Sequence, residues 1–233
     1  MTLHLSGPSA YRFGMSPRTT VLLTGFGPFP GVPVNPTSVY VPQLAEAARQ
    51  RFTEANVIAE ILPTEWHEAP RRLEALLATH GPTLALHFGV SAEARGFVIE
   101  TTARNLTCAK ADACGALPPA LEVLADGPES IVTALPASLI VAQLTDQGWP
   151  AAVSADAGRY LCNAVLYRSL HHAATRAPRS SVLFVHLPAS LTDHEPADAG
   201  RRCPLSWAEA LAGGVEILAV CLEGVAADAA SPA

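Results

Sequence analysis

Short apolar runs alternate with helix-compatible stretches along most of this chain, and that alternation restricts the fold more than any other feature. Residues 21–24, 57–62, 84–88, 97–101, 151–154 and 182–187 read as strands, and residues 36–52, 64–79, 139–148, 162–173 and 206–225 read as helices. Punctuation supports the division. Asn35-Pro36-Thr37 caps and starts a helix, Gly81-Pro82 stops the next, and Gly148 with Pro150 stops a third. Strands that alternate with helices imply a mostly parallel, mixed central sheet covered on both faces, a single-domain three-layer α/β/α sandwich. Residues 110–130 lack periodicity and are expected as a long surface loop, of a length often tied to function. Residues 1–18, rich in Gly, Pro and Ser, are expected as a flexible tail, with Met15 as the native start and residues 19–233 as one catalytic domain. No internal repeat or linker divides it.

Composition narrows the function. The 233 residues are 49% hydrophobic and carry a net charge of -6, which gives no electrostatic support for nucleic-acid or acidic-membrane partners. No apolar run approaches spanning length, and the N-terminus lacks the pattern of a secretory signal. Five widely spread cysteines, without C-x-x-C or Cys/His zinc spacing, indicate neither a disulfide framework nor a structural metal site. A cytoplasmic, reducing location fits.

One cysteine stands apart. In S-A-D-A-G-R-Y-L-C-N-A-V-L-Y a small-residue run turns through Gly158 and delivers Cys162 to a helix start. Unpaired backbone N–H groups and the positive end of the helix dipole there favour a thiolate. The plainer reading is a buried cysteine that fills space. In sheets of this kind ligands sit beyond the carboxyl ends of strands. Past the first strand lies G-F-G-P-F-P-G, where Pro30 occupies the third glycine position of a dinucleotide fingerprint and breaks the match. Phe26 and Phe29 in that loop suit either an apolar pocket wall or core packing.

A hydrolytic cysteine needs a base and a group that orients the base. Of eight histidines, His186 in V-L-F-V-H-L-P is best placed, at the end of its strand, and His87 within an apolar strand is the rival. Either also suits a satisfied core histidine. His194 lies in a polar loop. For the orienting carboxylate, Glu100 interrupts the apolar strand F-V-I-E-T-T, and burial there demands a partner. The competing partners are Arg95 and Arg104 in a structural ion pair.

Three stretches in this order resemble the pyroglutamyl peptidase I family of cysteine peptidases, over residues 21–188. L-L-T-G-F-G-P-F-P-G-V-P-V-N-P-T is similar to that family's opening loop, the Cys162 stretch to its cysteine motif, and V-L-F-V-H-L-P to its histidine motif. The resemblance implies a Cys-His-Glu triad on Cys162, His186 and Glu100, the last matched through E-T-T-A-R-N with Ala103 and Asn105 in register. It also implies a pocket for the pyrrolidone ring that uses Phe26 and Phe29. The implied reaction is hydrolysis of the amide after an N-terminal pyroglutamyl residue of a peptide, through a thioester and without cofactor or metal. Family enzymes are often dimers or tetramers, so a homodimer or homotetramer is implied.

This chain departs from the family near the site. Where members carry a G-x-A-G-G-R-like loop, it has G-V-S-A-E-A-R, with glycines lost, Glu93 added and Arg95 displaced by one position. The D-N-E-G loop is D-A-C-G at residues 112–115, and Lys110 stands where arginine is usual, without its guanidinium fork. These changes leave room for a related amidohydrolase acting on another small acyl group, or for a binding protein on the same fold.

Overall fold

The computed structural model describes residues 19–176, 180–193 and 204–230. The expected tail, Met15 and His194 lie outside the described residues. In chain order the elements are β1 (Thr20–Phe26), α1 (Pro36–Arg51), β2 (Asn56–Leu62), α2 (Glu68–His80), β3 (Leu84–Ser91), β4 (Phe97–Glu100), β5 (Thr102–Arg104), β6 (Ser130–Val132), α3 (Ala137–Asp146), β7 (Ala151–Ser154), α4 (Leu161–Thr175), β8 (Ser181–Pro188) and α5 (Trp207–Ala230). Six strands form one sheet in the order β2-β1-β3-β8-β4-β7. All neighbours are parallel except β4 and β8, so β4 and β7 run against the other four. This is the mixed α/β/α sandwich expected.

Period-two alternation assigns the two faces. Val21 and Leu23, Leu84 and Leu86, and Leu183 and Val185 turn toward α1, α3 and α5, and form one core cluster with Tyr40, Leu44, Ile140 and Leu218. Leu22, Ala85, Val182 and Phe184 turn the other way and join Leu73, Leu77, Val165 and Leu166 of α2 and α4. Strands apolar on both faces are what a sheet covered on both sides requires.

Two local differences from the sequence expectation bear on the site. β3 does not end at Gly89 but pairs with β8 through Ser91, because Gly89 and Val90 continue the parallel ladder opposite His186 and Leu187. Residues 110–129 lie in a loop as expected, but Ser130 already belongs to β6, and the segments that flank the loop close a two-stranded antiparallel ribbon, β5 with β6. Three-residue strands carry too little alternation to register as a pattern.

The loop has its own scaffold. Asp112, buried, accepts from the backbone N–H groups of Trp66, Cys114 and Ala116 at 2.8, 2.9 and 2.9 Å. Burial alone would raise its pKa, but those three donors outweigh it and hold the carboxyl below its usual range. Gly115, at φ +81°, closes this turn in a conformation that glycine adopts freely.

Candidate active site

The first wall is built by the opening loop. Asn35 caps α1 by accepting from the Thr37 N–H at 3.2 Å, and its amide donates to the Gly27 carbonyl at 3.0 Å. Thr37 Oγ1 accepts from the Phe26 N–H at 2.9 Å, and Thr64 donates to Gly27 O at 2.8 Å. Gly25 carries no side chain for a plain reason: a Cβ there would stand 2.7 Å from the Thr37 carbonyl oxygen. Phe26 is thereby fixed at 3% exposure and meets both readings made of it, core on one side and cavity wall on the other. Phe29 is half-buried and its ring lies 6.5 Å from that of Tyr160. Trp66 backs Tyr160 edge-on at 5.1 Å.

Cys162 stands at the second residue of α4. Gly158, at φ +79°, turns the chain into the helix, and the N–H of Gly158 is held by Asp156 Oδ1 at 3.0 Å. No side chain caps this helix start, so its first N–H groups have no intrahelical or capping acceptor. Asn163, fully buried, accepts from the Arg104 N–H at 2.8 Å and donates to the carbonyls of Arg104 and Leu106 at 2.8 and 2.9 Å. The residue after the cysteine thus clamps α4 to the chain that follows Glu100.

His186 and Glu100 come from β8 and β4. In the antiparallel register His186 faces Val98, and Glu100 faces Phe184, so all four side chains share the α2/α4 face. His186 Nδ1 lies 2.8 Å from Glu100 Oε1, and the Cys162 sulfur acts on the same ring electrostatically. Glu100 Oε2 is buried without a hydrogen-bond partner among the described residues. Burial works against a charged imidazole, but the Cys162 sulfur and then the Glu100 carboxylate outweigh it, and the His186 pKa is raised to about 10. Gly89, opposite His186 on β3, makes room for the sulfur: a Cβ there would stand 3.0 Å from Cys162 Sγ and 2.8 Å from Phe184 Cζ.

These groups line one cavity of about 430 Å³, which Phe26, Phe29, Glu100, Tyr160, Cys162 and His186 share. Cys162, His186 and Glu100 thus line one cavity with both phenylalanines, and Glu100 is the last residue of β4. β4 runs against β8, and Glu100 arrives by cross-strand register. The alternative partners for Glu100 are otherwise engaged or apart. Arg95 donates to the carbonyls of Ala92 and Ala94, and Arg104 has a buried Nε without a partner. The rival His87 is a core histidine. It is fully buried between Thr24 Oγ1 and Ser169 Oγ, each at 2.8 Å, and burial lowers its pKa to about 3. Sequence reasoning missed the roles of Asn163 and Asp112, which are hydrogen bonds to backbone, distant for Asn163 and both local and distant for Asp112; a polar residue inside an apolar helical run was the available sign for Asn163.

Comparisons with known proteins identify the family. The family model described as pyroglutamyl peptidase matches residues 19–220. A pyrrolidone-carboxylate peptidase from Oceanobacillus iheyensis is 33% identical over 183 residues, covering 77% of this chain and 90% of the relative. One from Chromobacterium violaceum is 38% identical over 174 residues, covering 72% and 77%. Among solved structures, a mutant pyrrolidone carboxyl peptidase from the hyperthermophile Pyrococcus furiosus superposes with TM-score 0.79 at 30% identity, covering 89% of this chain and all of that one. Pyroglutamyl peptidase I of Bacillus amyloliquefaciens superposes with TM-score 0.74 at 29% identity, covering 87% and 96%. A family model that matches residues 19–220, relatives more than 30% identical and solved structures of the same fold lead to one conclusion: the protein belongs to the pyroglutamyl peptidase family.

Proposed function

We propose that Cys162, His186 and Glu100 hydrolyse the amide that links an N-terminal pyroglutamyl residue to the next residue of a peptide. The observation that carries this reading is the His186–Glu100 pair at 2.8 Å in the cavity that Cys162, Phe26 and Phe29 also line. The sulfur attacks the pyroglutamyl carbonyl carbon, and the oxyanion that forms is held by N–H groups at the start of α4. The C–N bond then breaks as His186 gives its proton to the leaving amine, and a thioester remains on Cys162. Water attacks the thioester and passes a proton to His186, the C–S bond breaks, and pyroglutamate leaves. Glu100 holds the imidazole by Nδ1 and balances its charge throughout.

The cavity suits an acyl group of this kind. Pyroglutamate lacks an ionised α-amine, so its ring needs flat apolar walls rather than an acidic anchor, and Phe26, Phe29 and Tyr160 supply them. Lys110 lies 4.8 Å over the Tyr160 ring and 5.8 Å over that of Phe29, which closes the same end of the cavity with a cation on aromatic faces. Free Cys108, Cys114, Cys162 and Cys221 suit a reducing, cytoplasmic location. Release of a chromogenic amine from a pyroglutamyl arylamide tests the activity. Turnover by the wild type that is lost in Cys162→Ser is expected, and undiminished turnover in the variant would remove Cys162 as nucleophile.

A further inference from the structure

The cavity has two ends. One is the aromatic wall after β1. The other is the turn that leads from β3 over β8 to β4, where Val90, Ser91, Glu93 and Ala94 line it together with Val98. Cys162 and His186 lie between them. A pyroglutamyl ring on the aromatic wall directs its leaving residue toward His186, which must protonate it, and so toward the Glu93 turn.

The ionised groups of the cavity are unevenly satisfied. Asp156 is paired with Arg159, Glu100 with His186, and Lys110 lies over aromatic rings at the far end. Glu93 is exposed and its carboxylate makes no ion pair among the described residues. Its backbone N–H is held by Ser91 Oγ at 3.2 Å, which fixes the turn, while Arg95 spends its guanidinium on the carbonyls of Ala92 and Ala94. An uncompensated negative charge therefore lines the end of the cavity toward which the leaving residue is directed.

We infer that Glu93 is a specificity-determining residue that favours peptides with a basic residue after the pyroglutamyl group and disfavours those with an acidic one. The inference rests on the pyroglutamyl peptidase reading of the site. An exposed charge pair contributes little, about 0.2–1 kcal/mol, and salt weakens it further. The expected effect is accordingly a severalfold preference in kcat/KM at low ionic strength, not an absolute one.

The test compares three peptide amides, pyroglutamyl-Arg-Ala, pyroglutamyl-Gln-Ala and pyroglutamyl-Glu-Ala, on the wild type, Glu93→Gln and Glu93→Lys. Each rate is normalised to that enzyme's turnover of a neutral pyroglutamyl arylamide. Expected for the wild type is the order Arg, Gln, Glu, with a spread of about threefold to tenfold that shrinks in high salt. Glu93→Gln should flatten the order and Glu93→Lys should reverse it. Equal normalised rates in the wild type, or an order unchanged in Glu93→Lys, would overturn the role of Glu93 while the arylamide signal leaves the activity standing. Absence of turnover on arylamide and peptides alike would overturn the activity, and the role of Glu93 with it.

Discussion

Glu100 and His186 are diagonal neighbours across the β4–β8 pair: Glu100 is registered with Phe184, yet its Oε1 reaches His186 Nδ1 at 2.8 Å. The contact depends on β4 running against β8, since that register sets Glu100 and His186 on one face, two residues apart along the ladder. Glu100→Gln keeps the size and an acceptor oxygen but removes the charge that faces the imidazolium. The expected result is a fall in kcat of about 10²–10⁴-fold with KM little changed, by analogy with loss of the orienting carboxylate in other triads. Steady-state kinetics on a pyroglutamyl arylamide check this, and an unchanged kcat would deny Glu100 its positioning role.

The sulfur is the largest influence that raises the His186 pKa. Cys162→Ser should therefore lower the pH at which His186 titrates, measured from the imidazole resonances by NMR, and Glu100→Gln should lower it as well. The same shift has a consequence for stability. A folded-state pKa near 10 against about 6.5 unfolded means that the charged ring stabilises the fold fully below pH 6.5, and that this contribution is lost as pH rises toward 10. Denaturant titrations of wild type and Cys162→Ser across that window should converge toward its alkaline end.

Gly89 is where the sheet yields space to the chemistry. Gly89→Ala places a methyl group 3.0 Å from Cys162 Sγ and 2.8 Å from Phe184 Cζ, and Phe184 is locked in the core. The expected cost is about 1–3 kcal/mol in stability, with a larger loss in kcat than in KM because the sulfur is displaced from His186. Urea unfolding and kinetics on the same preparation separate the two effects.

His87 governs the acid limb. Its folded pKa of about 3 lies below the unfolded value, so its neutral ring contributes fully above pH 6.5, and the contribution is lost as pH falls from there toward 3. One extra proton taken up on unfolding gives a slope of about 1.4 kcal/mol per pH unit. His87→Gln, which can still meet Thr24 and Ser169, should show a shallower dependence over that range in urea titrations at stepped pH.

Most of the fold was legible because its strands are buried on both faces and its helices carry stop signals such as Gly81 and Gly148. The cysteine, histidine and glutamate were legible as types that an apolar setting rarely tolerates without purpose. Their arrangement was not. Nothing local in F-V-I-E states that this strand runs against β8, since direction is set by the short turn, residues 92–96, that carries the chain from β3 over β8 to β4. His87 and His186 looked alike for the same reason, both being polar residues in apolar strands. What separates them is position along the sheet: His87 is closed over by Ser169 of α4, and His186 meets the start of that helix. The clamp by Asn163 and the turn built on Asp112 join residues tens of positions apart, which spacing does not encode.

The most direct measurement is to mix the enzyme with a pyroglutamyl arylamide, quench in acid during turnover, and map the acylated peptide by mass spectrometry. The expected result is a single pyroglutamyl group on the peptide that contains Cys162, labile to hydroxylamine as a thioester is, with none in Cys162→Ser. Turnover with the acyl group on another residue, or turnover that persists in Cys162→Ser, would contradict the assignment of Cys162, His186 and Glu100 as the hydrolytic centre.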